Sequence, residues 1–207
     1  GGMQVMNFGT RERILRCGKE LFLEKGFEQA SLREISKMAG VTTGAFYRNF
    51  SDKEELFSEL VDPLVEAVFT KYKEFAEKNF QNSGDNHENL NSKVNIEGTI
   101  EVSLFLFENK EILELLINCS GETKYSNFIE QLTLMQDESQ KKIKNRTGSK
   151  NVIVEKRASI GIHALNHARF SALIEIVLHS DSEEELIINS KLIAIFFEEG
   201  WKKIKSY

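Results

Sequence analysis

The sequence predicts an all-α protein with a small helical head and a larger helical body. Three observations carry this. The first is composition: the 207 residues hold one proline and thirteen glycines, and 41% are hydrophobic, enough for a proper core. The second is periodicity, since apolar side chains recur at three- and four-residue spacing along most of the chain. The third is punctuation: Ser31/Glu34, Ser51/Glu54 and Ser182/Glu185 each read as a capping box opening a helix.

The elements follow in order. A first helix is expected from Thr10 to Lys25, with Ile14, Leu15, Gly18, Leu21 and Phe22 inward and Gly26 ending it. Ser31 caps a short second helix whose apolar face is Leu32, Ile35, Met38 and Ala39. Gly40 ends it in a left-handed residue. Thr42 caps a third helix, from which Val41, Phe46 and Phe50 pack back onto the second. Ser51 caps a fourth, running to about Asn79 and bent near Asp62 by Pro63. Residues 79 to 95, rich in Asn, Ser, Asp and Gly, read as a loop. Helices are then expected over Ile96–Glu108, from an Asn109 cap to Asn118, and over Lys124–Lys144. After a polar break to Asn151, two long helices, Val152–Leu178 and Glu183–Lys205, close the chain.

No run of ~18 uncharged apolar residues is present, so no membrane span is expected. Arg11, Glu12 and Arg13 interrupt the early apolar residues, so no signal peptide is expected either. Cys17 and Cys119 sit in apolar helical patterns and read as buried hydrophobes in a reducing cytoplasm. The net charge is −5, yet residues 10–53 hold nine Lys/Arg against six acids. That head is +3, which leaves −8 for the rest. A basic head on an acidic body fits a protein that meets phosphates at one end.

Residues 31–50 read as two short helices around a tight turn. With the phenylalanines inward, Thr42, Thr43, Tyr47 and Arg48 point out around the small Gly44 and Ala45. A face of hydroxyls, a phenol and a guanidinium with little bulk can enter a DNA groove and offer several donors. Arg48 can read guanine bidentately or hold phosphate.

The string RERILRCGKELFLEKGFEQASLREISKMAGVTTGAFYRNFSDKEEL, Arg11 to Leu56, resembles the tetracycline-repressor (TetR) family of bacterial transcription regulators. The resemblance implies an all-α homodimer. Its N-terminal three-helix helix-turn-helix DNA-binding domain would cover 8–54, with the motif itself at 31–50, and a C-terminal helical ligand-binding and dimerisation domain 55–207. It implies that the helix from Thr42 to Arg48 enters the major groove and that Thr43, Tyr47 and Arg48 touch bases or phosphates. Lys53 is implied to meet backbone phosphate, and Ser31, Arg33, Thr42 and Gly44 are counted with the DNA-facing set. Asn49 stands where the family commonly has His or Tyr, and Cys17 where Ala is common.

In the body, Phe69, Phe75, Phe80, Phe105, Phe107, Phe128 and Phe170, with Cys119 and Met135, are candidates for an apolar effector pocket. His163 and His167, four apart beside Asn166, read as a polar group in that pocket or at a dimer seam; no third ligand marks a metal site. The last two helices each carry two apolar stripes. A surface helix needs only one, so a second partner is implied: the centre of the monomer, or, preferred here, a homodimer interface. Ile160, Ala164, Ser171 and Ile174 of the first and Leu186, Ile193, Phe197 and Trp201 of the second are the expected interface.

No phosphate-cradling loop, dinucleotide fingerprint or nucleophile elbow is present, so no enzyme, cofactor or catalytic residue is expected. The expectation is a cytoplasmic, ligand-responsive regulator, most simply a repressor. It would bind a pseudo-palindromic double-stranded DNA operator and respond to a small-molecule effector. The alternative is the same fold with a body that binds a protein partner.

Overall fold

A computed structural model describes residues 9–82, 88–147 and 159–205. The described residues form nine α-helices: α1 Thr10–Gln29, α2 Leu32–Met38, α3 Thr43–Tyr47, α4 Lys53–Asn82, α5 Glu88–Glu108, α6 Lys110–Asn118, α7 Phe128–Thr147, α8 Ser159–His179 and α9 Glu183–Lys205. The chain divides into two compact units. The first is residues 1–65 with 111–126, and the second is 66–110 with 127–207. By packing, then, the first unit is larger than the 8–54 expected, because α6 and the turn after it fold into it.

In the first unit, Ile14, Phe22, Ile35, Phe46, Leu56, Phe57, Leu113 and Leu115 are completely buried. Each such side chain is worth about 1.5–3 kcal/mol on removal from water. Phe57 stands edge-on to both Phe22 and Phe27, with centroids 5.2 and 5.4 Å away. Gly18 lets α1 close on α4: a Cβ there would lie 2.7 Å from Leu56 Cδ2. Gly26, at φ 77°, breaks α1 where its end was expected, and a further turn follows to Gln29. The segment after α6 is fastened to α1. The Phe27 N–H donates to the Cys119 carbonyl at 2.9 Å, and the Glu28 carboxylate accepts from the Glu122 N–H at 3.0 Å.

Several expected boundaries move. Asp52, not Ser51, caps α4, accepting from the Glu55 N–H at 2.8 Å, while the Glu55 carboxylate returns to the Ser51 N–H. The cap lies one residue later, because Asp caps as well as Ser, and the returning carboxylate reaches the residue before it. Pro63 lies inside α4, which runs as one helix from Lys53 to Asn82, without the N–H that would have bonded one turn back. Asn109 directly precedes α6, as expected of its cap, while its amide donates back to the Phe105 carbonyl at 2.9 Å. Residues 124–127 are turn, so α7 starts at Phe128.

In the second unit, α5 packs against α9, α7 against α8, and α8 against both α5 and α9. Residues 79–82 and 88–95, expected as loop, are helical. Composition was overridden by local pairs such as Gln81 to Glu77 at 2.9 Å and by the packing of α5 on α9. Of the expected break, residues 83–87 lie outside the described residues, as do 148–158, over which the helix from Val152 was expected to begin.

Candidate functional site

In the first unit, α2 and α3 are built from caps inward. The Ser31 hydroxyl accepts from the Glu34 N–H at 3.2 Å, and the Glu34 carboxylate accepts from the Ser31 hydroxyl at 2.8 Å and from its N–H at 3.3 Å. Lys25 adds an ion pair at 2.8 Å. That pair, then the Ser31 bonds, hold the Glu34 carboxyl down at about 2. Gly40 turns the chain at φ 65°, and Thr42 Oγ1 accepts from the Ala45 N–H at 3.1 Å to open α3. Phe46 and Phe50 are buried, and Phe50 lies under the Arg11 guanidinium, 4.3 Å from the ring centroid. Ile35 and Ala39 are buried as expected of α2, but Met38 is 45% exposed.

The opposite face of α3 is bare. Thr42, Thr43, Gly44, Tyr47 and Arg48 are all exposed, as is Arg33 on α2. Tyr47 stands edge-to-face with Phe46 and is 55% exposed. Asn49 turns inward, donating to the Ala45 carbonyl at 2.8 Å. A Cβ at Gly44 would meet only Thr42 Oγ1 at 3.9 Å, and Gly44 does not have a positive φ. Nothing inside the chain requires glycine there.

Lys53 is placed otherwise than expected. Its ammonium donates to the carbonyls of Phe27, Glu28 and Ala30, at 2.5, 3.3 and 3.0 Å, and lies over the Phe27 ring. It closes the end of α1, where the helix dipole favours a cation. Burial pulls its pKa below the usual lysine range. In this arrangement Lys53 is a strut of the head, with its donors spent inward. The Ser31 hydroxyl is likewise engaged in its cap.

The second unit contains a cleft of about 90 Å³ that opens partly to solvent. Phe75, Phe128 and Phe170 line it, as expected. The other expected pocket residues do not. Phe69 stacks behind Phe128 with centroids 5.6 Å apart, and Phe105 lies under the Lys71 ammonium. Cys119 is buried in the first unit, and Met135 is not part of the wall. Sequence reasoning missed Tyr72, Thr99, Gln136 and Arg169, all of which line the cleft. Gly98 makes room for Phe75, whose Cε2 would lie 2.9 Å from an added Cβ. Tyr72 donates to Gln136 Oε1 at 2.8 Å, and burial raises its phenol well above the ordinary range. One signal could have found Arg169: it is the sole Lys or Arg in the apolar helix 159–179.

His163 and Asn166 join a polar cluster between α7 and α8. His163 Nδ1 lies 2.8 Å from Asp137 and Nε2 3.4 Å from Glu130, and the Asp137 bond chiefly raises its pKa. Asn166, completely buried, donates to Asp137 at 2.7 Å. His167 pairs with Ser171 at 3.3 Å. Among the described residues no group of His, Cys, Asp and Glu could hold a metal ion. No helix among them is long and apolar enough to cross a membrane.

The expected dimer residues are redistributed. Ile174, Leu186 and Phe197 are buried within the protomer; Ser171, Ile193 and Trp201 are half-buried; only Ile160 and Ala164 are exposed. The bare apolar face is the other stripe: Leu165 on α8 with Ile188, Leu192, Ile195 and Phe196 on α9. The two-stripe pattern was legible, but which stripe meets the core is decided by how α8 and α9 roll against α5 and α7.

A capped helix, a glycine turn and a second helix with a polar outer face define a helix-turn-helix protein. Residues 14–60 match the profile of bacterial regulatory proteins, tetR family. The transcriptional regulator AcrR of Shigella flexneri is 51% identical over 51 residues, 25% of this chain and 24% of its own length. The transcriptional repressor BepR of Brucella suis biovar 1 (strain 1330) is 46% identical over 52 residues, 25% of each chain. The match therefore spans about a quarter of these curated relatives. In fold the chain is similar over 92% of its length to NalD, the secondary repressor of the MexAB-OprM multidrug efflux pump in Pseudomonas aeruginosa. The TM-score is 0.59 and the identity 22%, with 94% of that chain covered.

Proposed function

We propose that this protein is a DNA-binding transcriptional regulator, a repressor that a small-molecule effector releases from its operator. The single observation that carries the reading is the bare outer face of α3: Thr43, Gly44, Tyr47 and Arg48 exposed together while Phe46 behind them is completely buried. Residues 8–54 supply the reading surface, with 31–50 as its motif, and 55–207 sense and dimerise. Two copies pair in the bacterial cytoplasm through the bare stripes of α8 and α9. Each places one α3 in the major groove of a pseudo-palindromic site, with half-sites ~34–36 Å apart or a multiple of that. The cleft in the second unit favours a small molecule over a protein partner, because it is concave, largely apolar and carries a few convergent polar groups. The effector acts by binding more tightly to the state that does not fit the operator.

Selection from random-sequence duplex DNA tests this. A palindromic consensus is expected, with affinity falling steeply as salt rises. Arg48→Ala should lose about 1–3 kcal/mol and relax preference at one base pair of each half-site. Failure to enrich any duplex, or an unchanged consensus and affinity in Arg48→Ala, would overturn the assignment of α3.

A further inference from the structure

We infer that the cleft of the second unit is built for an amphipathic monoanion, a carboxylate on an apolar aliphatic or aromatic body, with Arg169 as the group that receives the charge. This rests on the effector-responsive reading above and adds the chemical class of the effector.

Arg169 keeps partial exposure along its length, but its guanidinium lies in the interior of the unit, at the wall of the cleft. A guanidinium carries five N–H donors. Here Nη2 donates to Thr99 Oγ1 at a long 3.3 Å, and Nε is buried without a partner. Among the described residues it forms no ion pair. Glu198 acts on it only through space and is itself held by the Asn95 amide at 3.0 Å. A buried cation with a donor left unmet is costly to a protein unless something else meets it.

The surroundings select what that something is. Around Arg169 the cleft is walled by Val68, Phe75, Leu106, Phe128 and Phe170, which suit a hydrocarbon or ring. Lys71, the other cation on the wall, is already paired with Glu101 at 3.5 Å and covers the Phe105 ring. One available cation, with Glu198 nearby, leaves room for one negative charge and not two, which disfavours a phosphate dianion. A carboxylate also matches the planar fork of arginine. Tyr72, Thr99 and Gln136 place further polar atoms on the same wall.

The test uses the full-length protein with decanoate and 4-phenylbutyrate as probes, each against its neutral alcohol, followed by calorimetry and thermal melting. The acids are expected to bind saturably and raise the Tm, with the alcohols roughly tenfold or more weaker. Arg169→Gln should abolish that preference while keeping the helical content of the wild type. Equal binding of acids and alcohols by the wild type, no saturable binding of either acid, or an acid preference that survives Arg169→Gln would each overturn the inference. The wild-type comparison decides even if Arg169→Gln does not fold, and Thr99→Val, which removes the one hydroxyl partner, supplies a second variant expected to change acid affinity but not alcohol affinity. Operator binding without ligand is measured in the same preparation. Intact DNA binding with no acid preference defeats this inference alone, whereas absence of DNA binding defeats the regulator reading whatever the cleft binds.

Discussion

Gly44 shows how a single residue can be out of place for folding and in place for contact. A glycine inside an exposed helix costs about 1 kcal/mol relative to alanine, and α3 has only five residues to absorb it. No neighbour would obstruct a methyl group there. In the proposed DNA-reading role, the glycine serves what approaches from outside, where a bare backbone would let a phosphate or base edge come closer. Gly44→Ala should raise the stability of the protein by about 0.5–1 kcal/mol in denaturant titration while weakening operator binding in the same buffer. A stabilised variant with unchanged DNA affinity would remove this explanation. Arg169 teaches the reverse lesson. Its isolation as the sole Lys or Arg of an apolar helix hints at burial, but only the packing of α4, α5, α7 and α8 puts it at the wall of a cleft.

At the level of elements, caps were the most legible feature of the chain, since they depend on neighbours three residues away. Ser31, Thr42 and Ser182 cap as their positions predict, and the α4 cap slips by only one residue. The outward and inward faces of α3 were equally plain, because Phe46 and Phe50 repeat at helical spacing. The start of α5 and the roles of the stripes on α8 and α9 were not, because long-range packing settles both. The α2 cap also has a pH signature. Glu34 has its carboxyl depressed from an ordinary 4.5 to about 2. A depressed carboxyl contributes stability that is fully present above its unfolded value and is lost as pH falls through the folded one. Between pH 4.5 and about 2 the wild type should thus lose stability that Glu34→Gln no longer has to lose, seen as a flatter acid limb in helical circular dichroism. Parallel acid limbs for the two proteins would show that the cap does not hold its charge.

For the whole molecule, the decisive feature is an apolar stripe that the protomer leaves bare. Phe196 is 70% exposed, Leu192 62% and Ile188 56%, far more than a lone surface helix tolerates in one row. The spacing 188, 192, 195 and 196 keeps them on one face of α9. The combined substitution Leu192→Glu and Phe196→Glu should convert the proposed dimer to a monomer in light scattering, with helical content preserved because neither side chain supports the core. Operator affinity should fall with it, since one head reads only a half-site. A double variant that stays dimeric would move the interface elsewhere. The two cysteines, finally, give the molecule a built-in clock. Cys17 and Cys119 are 5% and 6% exposed, both belong to the first unit, and burial is the main force raising their thiols above the usual value. Folded, the protein offers almost no thiolate to an alkylating reagent. Uptake of such a reagent therefore times the opening of the first unit alone, and any cysteine introduced elsewhere by mutagenesis would carry a label on a silent background.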